Sequence, residues 1–292
     1  FLNTGLVTLG DIAGANTFTF DGGLTFGGGA ASELAADLKT PGQVINFGAG
    51  GVTLITDSSI DTKEGDPNGA NVIFGGTLGG AFDLAIDAGT TGQINVTAVD
   101  ADGAVTVNNL SLNSAANSTI AGNININDLI TDAVALVTLT GETNTFAENI
   151  NFLAGTNIVL GDVAGENTFN FNGGLTLAGG TASVGADITS SGDVIDFAGG
   201  QVTLITDSTI DTTIAAGNPD GADVSFAGLL TDNVAGNTFD LAIDAGNSGA
   251  ISFAAVNIAD LTISDADTVV ATGDLTLNDF ITEVQPYSVT MQ

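Results

Sequence analysis

Acidic and amide side chains in turns are the residues of this chain whose types and spacing could do chemistry. The turns GDPNG at residues 65–69 and GNPDG at residues 217–221 correspond to each other, and DADG and SDADT place further carboxylates beside flexible backbone. Hard cations such as calcium prefer carboxylate and amide oxygens. The sequence therefore suggests calcium binding by candidate ligands in these turns: Asp66, Asn68, Asp100, Asp102, Asn218, Asp220, Asp265 and Asp267.

The calcium hypothesis has a plain structural alternative. None of these turns completes an EF-hand loop, and the nonapeptide repeat GGxGxD is absent from the sequence. Asp and Asn also form ordinary turns, because their side chains hydrogen-bond to their own backbone. We therefore expect calcium as an optional ligand and no required cofactor.

Catalytic chemistry has few candidates in this chain. It contains no His and no Cys, which excludes a Ser-His-Asp triad and a thiol nucleophile. Carboxylate pairs, which act in glycoside hydrolysis, occur as Asp83 with Asp87 and as Asp240 with Asp244. Their spacing in a strand puts both members on the outer face, where duplication of a solvated surface also explains them. We predict a protein that is not an enzyme, with a polysaccharide-active β-helix as the distant alternative.

The charge balance restricts the partners. Lys39 and Lys63 are the only cations against 34 acidic residues, and the formal net charge is −32. Such a surface repels nucleic acid and anionic lipid, since phosphate binding needs Lys or Arg. No apolar run reaches the length of about 18 residues that is typical of a membrane span. We expect no nucleic-acid partner and no membrane insertion.

An internal duplication organises the whole sequence. VTLITDSSIDT at residues 52–62 returns as VTLITDSTIDT at residues 202–212, and FDLAIDAG at residues 82–89 returns unchanged at residues 239–246. Residues 1–11 correspond to residues 152–162 at an offset of 151. We predict two tandem repeat units, residues 1–151 and 152–292, that are continuous and have no linker. The second copy stops before the first copy's pattern is complete, which predicts that a further copy follows in a longer chain.

The pattern inside each copy predicts short strands. Apolar side chains alternate with Thr, Asp and Ser in segments too short for helices, which indicates strands with one dry face. In the first copy these strands are expected near Phe18, Leu24, Val44, Val52, Ile60, Val72, Phe82, Ile94, Val105, Leu110, Ile120, Ile126, Val137 and Ile150. Because two or three strands fit a coil of roughly 20 residues, we predict an all-β solenoid of about fourteen coils.

Large apolar residues in these strands should point inward and stack on their counterparts in the next coil. We expect aromatic ladders and aliphatic rows that include Phe18, Phe20, Phe169, Phe171, Phe82, Leu84 and Ile86. The stacking is required because one coil alone cannot bury enough surface to offset the entropy of ordering its backbone.

The segments ANVIFGGTLGG, FDLAIDAGTTGQINVTAVD, AVTVNNLSL and STIAGNINI resemble the strand-repeat exoproteins of bacteria. The chain is similar over its whole length to filamentous haemagglutinins and other giant surface adhesins. The resemblance implies a right-handed parallel β-helix, secretion to the cell surface, and a role as stalk, adhesin or matrix fibre, including a biofilm matrix. It brings no catalytic residues with it. The scarcity of Lys and Arg and the regular repeat favour a spacer or fibre over a receptor-binding module.

The terminal coils suggest how such a spacer would be used. Open strand edges pair readily with further strands. We therefore expect an extracellular structural protein that joins end to end, either with a second copy or within a longer parent chain. A calcium-supported adhesin that binds a host or glycan ligand is the alternative, and divalent cations and glycans are accordingly candidate partners.

Overall fold

The computed structural model describes residues 1–2, 4–13, 16–97, 104–153, 155–163, 166–213, 219–232, 236–283 and 288–292. These residues contain 34 strands and no helix, and the strands stack in parallel as a β-solenoid of about 12 turns. The predicted all-β solenoid is therefore confirmed, although fourteen coils is too high a count. No segment within the described ranges forms a helix with the length and apolar character needed to cross a bilayer.

The chain divides into two compact units. Unit 1 is Phe1–Gly141 and unit 2 is Glu142–Gln292. The repeat boundary after residue 151 was drawn from the sequence offset alone and stays a prediction.

The strands of unit 1 are short, and most have two to four residues. In chain order they are β1 (Val7–Gly10), β2 (Asn16–Thr19), β3 (Leu24–Thr25), β4 (Ser32–Lys39), β5 (Ile45–Asn46), β6 (Val52–Leu54), β7 (Ser58–Asp61), β8 (Val72–Phe74), β9 (Leu78–Gly79), β10 (Leu84–Asp87), β11 (Gln93–Val96), β12 (Ala104–Val105), β13 (Asn109–Ala115), β14 (Asn117–Ile120), β15 (Asn123–Ile126), β16 (Asp128–Val134) and β17 (Leu136–Leu139).

Unit 2 contains the remaining strands. They are β18 (Thr143–Phe146), β19 (Ile150–Phe152), β20 (Asn157–Gly161), β21 (Asn167–Phe171), β22 (Leu175–Leu177), β23 (Ala182–Ser190), β24 (Ile195–Phe197), β25 (Val202–Leu204), β26 (Ser208–Asp211), β27 (Val224–Asp232), β28 (Leu241–Asp244), β29 (Ala250–Asn257), β30 (Asp260–Asp265), β31 (Thr268–Ala271), β32 (Leu275–Thr276), β33 (Asp279–Thr282) and β34 (Ser288–Met291).

Each unit arranges its strands in three parallel stacks, and one turn passes once through each stack. In unit 1, stack 1A is β1-β4-β6-β9-β12-β15, stack 1B is β2-β4-β7-β10-β13-β16 and stack 1C is β3-β5-β8-β11-β14-β17. In unit 2 the corresponding stacks are 2A (β20-β23-β25-β27-β29-β32), 2B (β18-β21-β23-β26-β28-β30-β33) and 2C (β19-β22-β24-β27-β29-β31-β34). Long strands such as β4 and β23 belong to two stacks because they continue through a corner.

Alternation decides which side of each strand faces the core. In β6 Val52 and Leu54 are buried and Thr53 is exposed, and β25 repeats the arrangement with Val202 and Leu204 buried. Parallel register places Val52 beside Leu78 of the next turn. Each large apolar side chain buried in this way contributes about 1.5–3 kcal/mol.

Stacked phenylalanines form ladders in the core of each unit. The rings of Phe1, Phe26, Phe47 and Phe74 follow one another in unit 1 with centroid separations of 5.0, 5.5 and 4.9 Å. Unit 2 contains a second ladder in stack 2C. Its rings are Phe197, Phe226 and Phe253, with centroid separations of 5.1 and 5.4 Å. These separations match the spacing of about 4.8 Å between adjacent strands, so the backbone pairing itself sets the ring stacking.

Several predicted inward residues lie elsewhere. Phe169 and Phe171 are fully buried as expected, whereas Phe18 and Phe20 are only half-buried. Phe18 lies in the first turn of unit 1, which has a neighbouring turn of that unit on one side. The prediction for Phe82 is wrong, because it precedes β10 at a corner and is 38% exposed.

The coil count was too high because the corners are longer than expected. Ten residues, Thr62 to Asn71, separate β7 from β8 at one corner of unit 1. The strand β4 was also not predicted, since its sequence SELAADLK carries three charged side chains. These side chains point outward, while Leu34 and Leu38 are fully buried.

Removing an unpaired buried hydroxyl should stabilise the fold. Ser118 is completely buried in β14, and its Oγ has no hydrogen-bond partner. We expect Ser118→Ala to raise the free energy of unfolding by about 1 kcal/mol, because a buried polar atom without a partner carries an uncompensated desolvation cost. Ser58 is the matched control, since its Oγ accepts from Ala36 N–H and donates to the Thr56 carbonyl. Ser58→Ala should lower stability in the same urea titration, and equal effects of both variants would contradict the assignment.

The aromatic ladder should dominate the stability of unit 1. Phe47 stacks on a ring on each side, and Phe47→Ala should cost about 3–5 kcal/mol through lost burial and a cavity. Phe82→Ala should cost about 1 kcal/mol or less, because that ring is already partly hydrated. Urea denaturation followed by circular dichroism measures both values. A cost at Phe82 that equals the cost at Phe47 would show that ring stacking is not the source.

Candidate functional site

Two of the predicted calcium ligands, Asp66 and Asn68, lie in a compact hydrogen-bonded turn between β7 and β8. Asp66 Oδ1 accepts the N–H of Asn68 at 3.0 Å, and the Asp66 carbonyl accepts the N–H of Gly69 at 3.0 Å. Gly69 has a φ of 64°, and a Cβ at this position would lie 2.0 Å from the Ala88 carbonyl oxygen. The Asp66 carboxylate therefore stabilises a turn that is pressed against the next turn of the solenoid.

The other described candidates lie at the equivalent corner of unit 2, between stacks 2B and 2C. The carbonyl of Asp220 accepts from Ser248 N–H at 2.8 Å, and Asp267 N–H donates to the Gly249 carbonyl at 2.9 Å. Asp265 is the last residue of β30. Three predicted ligands lie outside the described residues: Asp100, Asp102 and Asn218.

The structure does not bring the described candidates into one cluster. Over the described ranges, no three or more carboxylate side chains are grouped so that they could hold a metal ion. Asp66 and Asn68 lie in the same tight turn of the chain. Asp220 and Asp267 lie on different turns of the solenoid in unit 2. Calcium binding therefore stays a prediction.

A more regular arrangement of carboxylates runs along the outer face of stack 2B. Asp240 N–H donates to Asp207 Oδ1 at 3.0 Å, and Asp260 N–H donates to Asp240 Oδ1 at 3.1 Å. Asp279 N–H repeats the contact with Asp260 Oδ1 at 3.1 Å. We call these four residues the Asp207 row. The first three carboxylates each accept a backbone hydrogen bond from the next turn, so the row links four turns.

A second row lies at the other end of the same strands. Asp211 of β26 pairs in register with Asp244 of β28, which pairs with Asp265 of β30. We call these three residues the Asp211 row. Like charges directly opposite each other on neighbouring strands are destabilising. The Asp244 carboxylate also accepts the N–H of Gly246 at 3.0 Å.

Burial and neighbouring charges change the acidity of one member of each row. Partial burial raises the pKa of Asp244, and Asp211 and Asp265 raise it further, which outweighs the lowering effect of the Gly246 hydrogen bond. Burial likewise raises the pKa of Asp240, with contributions from the carboxylates of Asp207 and Asp260. At Asp240 and Asp244, burial and the neighbouring carboxylates therefore favour the protonated form.

A shallow groove lies on this face of unit 2. It has a volume of about 380 Å³ and is lined by residues that include Asp187, Thr209, Asp211 and Asp244. Asp187 Oδ1 accepts both the N–H and the Oγ1–H of Thr209, at 3.2 and 2.8 Å. The groove is thus acidic, and the Asp187 carboxylate is engaged with the neighbouring strand.

Unit 1 contains the same octapeptide with a different environment. The Asp87 carboxylate accepts from Lys63 Nζ, from Ser114 Oγ and, at 3.1 Å, from Gly89 N–H. Burial alone would raise the pKa of Asp87, but the hydrogen bonds from Lys63 and Ser114 outweigh burial and the pKa is lowered. Asp87 and Asp244 are therefore identical in local sequence and opposite in the direction of their pKa shift.

Both lysines of the chain lie on the corresponding face of unit 1, along stack 1B. Lys39 Nζ pairs with Glu64 at 3.0 Å, and Lys39 stands in register with Asp61 on the next turn. Hydrogen bonding to Glu64 raises the pKa of Lys39, and hydrogen bonding to Asp87 raises that of Lys63. Unit 2 contains no Lys, Arg or His anywhere in its sequence.

Sequence reasoning found these carboxylates as pairs along one strand. It placed Asp83 with Asp87 and Asp240 with Asp244 on the outer face, and the buried Leu84 and Ile86 between the first pair agree with that placement. The contacts, however, run between turns rather than along one strand. Alignment of the two copies contains the signal for their different charge environments, because Lys39 and Lys63 of the first copy correspond to Thr189 and Thr213 of the second.

The outer face of stack 2B presents aligned carboxylates that accept hydrogen bonds from neighbouring turns. Carboxylates of the Asp207 row accept backbone N–H groups, and Asp187 is bonded to Thr209. These contacts explain the carboxylates as links between turns. Comparison of the chain with protein-family models, with curated proteins and with solved structures found no match.

Removing one charge from the Asp207 row should stabilise unit 2 near neutral pH. In Asp240→Asn the Oδ1 can still accept Asp260 N–H, while repulsion from Asp207 and Asp260 is removed. We expect a gain of about 0.5 kcal/mol in the free energy of unfolding. The gain should vanish as the pH falls through the raised pKa of Asp240, because the wild-type side chain is then neutral as well.

Asp240→Ala is the control for the hydrogen bond. It removes the same charge together with the acceptor, which leaves the N–H of Asp260 without its partner, so stability should not rise. Thermal melts of the three proteins across the acidic range measure both effects. A destabilised Asp240→Asn at neutral pH would show that the row is not repulsive.

Proposed function

We propose that this chain is a non-enzymatic structural protein of the cell exterior, a solenoid segment of a filament, matrix fibre or adhesin stalk. Its work is mechanical, because parallel stacking turns a short repeated sequence into an extended series of identical contacts. The acidic surface supports this assignment, since like charge on every turn opposes lateral aggregation while leaving the strand edges at the ends available.

The single observation that carries the proposal is the state of the terminal turns. The last strand, β34, pairs with β31 on one side, and its four residues are exposed. Met291 stands opposite Ala271 in stack 2C and is 60% exposed, although its position in the strand is an inward one. The structure describes no strand of this chain on the other side of β34.

The first turn presents a matching edge. Phe1 stacks on Phe26 at 5.0 Å and its carbonyl accepts the N–H of Gly27 at 2.8 Å, yet the residue is 51% exposed. Phe1 corresponds by duplication to Phe152, the last residue of β19. The strand β19 is the first strand of stack 2C. Phe1 and Met291 therefore occupy equivalent columns in their respective units.

The proposed partner is a second copy of the chain. Its Phe1 would stack over Met291 and add a turn to stacks 2B and 2C, with backbone hydrogen bonds supplying affinity as in β-strand addition. In a longer parent chain the next repeat would make the same contacts covalently continuous. Because the net charge is −32, association of separate copies requires screening by salt.

Self-association in high salt tests the proposal. We expect sedimentation velocity of the full chain to show oligomers that grow with protein and salt concentration, and electron microscopy to show linear particles. Met291→Lys should weaken association at least about tenfold, since it places a charge where an apolar ring would dock. Val163→Lys adds the same charge at a corner residue that is 74% exposed, and it should leave association unchanged.

Two results would count against end-to-end joining. A chain that stays monomeric at every salt concentration would overturn it, and so would equal weakening by both lysine variants. Association that appears only when calcium is added, and is reversed by a chelator, would instead favour the calcium-supported adhesin.

A further inference from the structure

The two copies of FDLAIDAG provide an internal comparison of one sequence in two electrostatic settings. Both copies form a strand, β10 or β28, with the same alternation of buried and half-buried residues. Asp87 and Asp244 end these strands and both accept a backbone N–H two residues later, at 3.1 and 3.0 Å. Any difference in their behaviour therefore arises from neighbouring strands and corners.

The decisive difference is one residue on the preceding turn. Lys63 N–H donates to Asp61 Oδ1 at 2.8 Å, and Thr213 N–H donates to Asp211 Oδ1 at 2.7 Å. The two residues also make corresponding antiparallel bridges, with Pro41 and with Ser191. These backbone contacts are thus alike at both places, and the side chains differ. Lys63 extends its ammonium group to Asp87, whereas the Thr213 hydroxyl donates to Asp211 Oδ1 at 2.7 Å.

The groups that face Asp244 are all acidic or neutral. Asp211 of β26 lies on one side and Asp265 of β30 on the other, and both raise its pKa. The groove beside it contains Asp187 and the neutral side chains of Thr189, Thr209 and Ser264. Asp240, at the other end of the same strand, faces Asp207 and Asp260 in the same way.

The groups that face Asp87 include a cation. Asp61 of β7 lies on one side and Ser114 of β13 on the other, where Asp265 has its place in unit 2. Lys63 also lies within the field of Asp132. Further charged groups of this face are Lys39 with its partner Glu64, Asp37 beside Lys39, and Asp57, whose Oδ1 accepts the N–H of Asp83 at 3.0 Å.

We propose that the acidic face of stack 2B, formed by the Asp207 row, the Asp211 row and Asp187, is strengthened by acid around strand β28, while strand β10 of unit 1, whose Asp87 pairs with Lys63, responds to acid in the opposite sense. Protonation removes repulsion between stacked carboxylates in unit 2. In unit 1 protonation of Asp87 removes the ion pair with Lys63. The inference concerns the folding of each unit and holds whether or not the chain assembles.

The direction follows from linkage between protonation and folding. Asp240 and Asp244 have a pKa above that of an unfolded Asp, so the folded state binds their protons more tightly. Their contribution to stability is complete below the unfolded pKa of about 3.9 and is lost as the pH rises through the folded pKa. Asp87 has a lowered pKa, so its contribution is complete above the unfolded pKa and is lost as the pH falls through the folded pKa.

Two site-specific measurements on the full chain test the proposal. Carbon-13 spectra of the carboxyl groups, recorded between about pH 2 and about pH 7, give the titration of Asp87 and Asp244 directly. Hydrogen exchange with mass spectrometry follows β10 and β28, whose peptides differ in their flanking residues. After correction for intrinsic exchange, protection of β28 should rise on moving from neutral pH to about pH 4.5, and protection of β10 should not.

Reciprocal exchange of the decisive residue is the matched variant pair. Thr213→Lys should lower the titration midpoint of Asp244 and raise β28 protection at neutral pH by about threefold, the scale of a partly exposed ion pair. Lys63→Thr should raise the titration midpoint of Asp87 and reduce the loss of β10 protection in acid, while Ser114 still donates to Asp87. If Thr213→Lys fails to fold, Asp244→Asn removes the charge while keeping an acceptor for Gly246, and it should reduce the acid response of β28.

The measurements distinguish an effect of overall charge from an effect of the residues around Asp244. The net charge of −32 acts on both units, so a rise in protection that is equal in β10 and β28 would assign the effect to overall charge and overturn the proposal. Titration of Asp244 at or below the midpoint of Asp87 would also overturn it. A higher midpoint at Asp244 that Thr213→Lys removes would establish it.

Discussion

Stacking of one turn on the next is the constraint on which the rest of this structure depends. A single turn contains about three short strands and has no means of burying its apolar side chains except against neighbouring turns. Parallel pairing at about 4.8 Å brings equivalent side chains into contact, so that Phe26 meets Phe47 and Phe47 meets Phe74. The same pairing hydrogen-bonds the backbone. Core packing and sheet formation are therefore one event, and weakness in either affects both.

The same stacking creates the electrostatic problem of the outer face. A residue type repeated at one strand position is aligned with its own kind on each turn, which suits Thr and Phe but not Asp. Unit 1 relieves the resulting repulsion with Lys63, and unit 2 leaves Asp211, Asp244 and Asp265 in register without a cation. The Asp207 row offsets part of its cost by accepting backbone N–H groups from successive turns. A duplicated sequence thus has two units with different charge environments.

A structural role agrees with how the polar side chains of the outer face are used. Asp66 closes a turn, Asp187 bonds to Thr209, and Asp87 neutralises Lys63. These carboxylates support the fold, and Asp66 is the calcium candidate among them. The ends of the stacks differ from the rest, because apolar residues such as Phe1 and Met291 are half or more exposed there.

The sequence by itself determined the fold class, the duplication and most strand positions, because alternation and repetition are local properties that tertiary contacts reinforce. It did not predict β4, where outward Glu33, Asp37 and Lys39 mask a buried row that includes Leu34 and Leu38. It also predicted an inward position for Phe82, because the alternation of buried and exposed residues in β10 does not continue into the preceding corner. Only the tertiary structure decided which carboxylates face one another and which of them meets a lysine. Those neighbours are a full turn away in the chain, and corner lengths, which the pattern does not encode, set the register that brings them together.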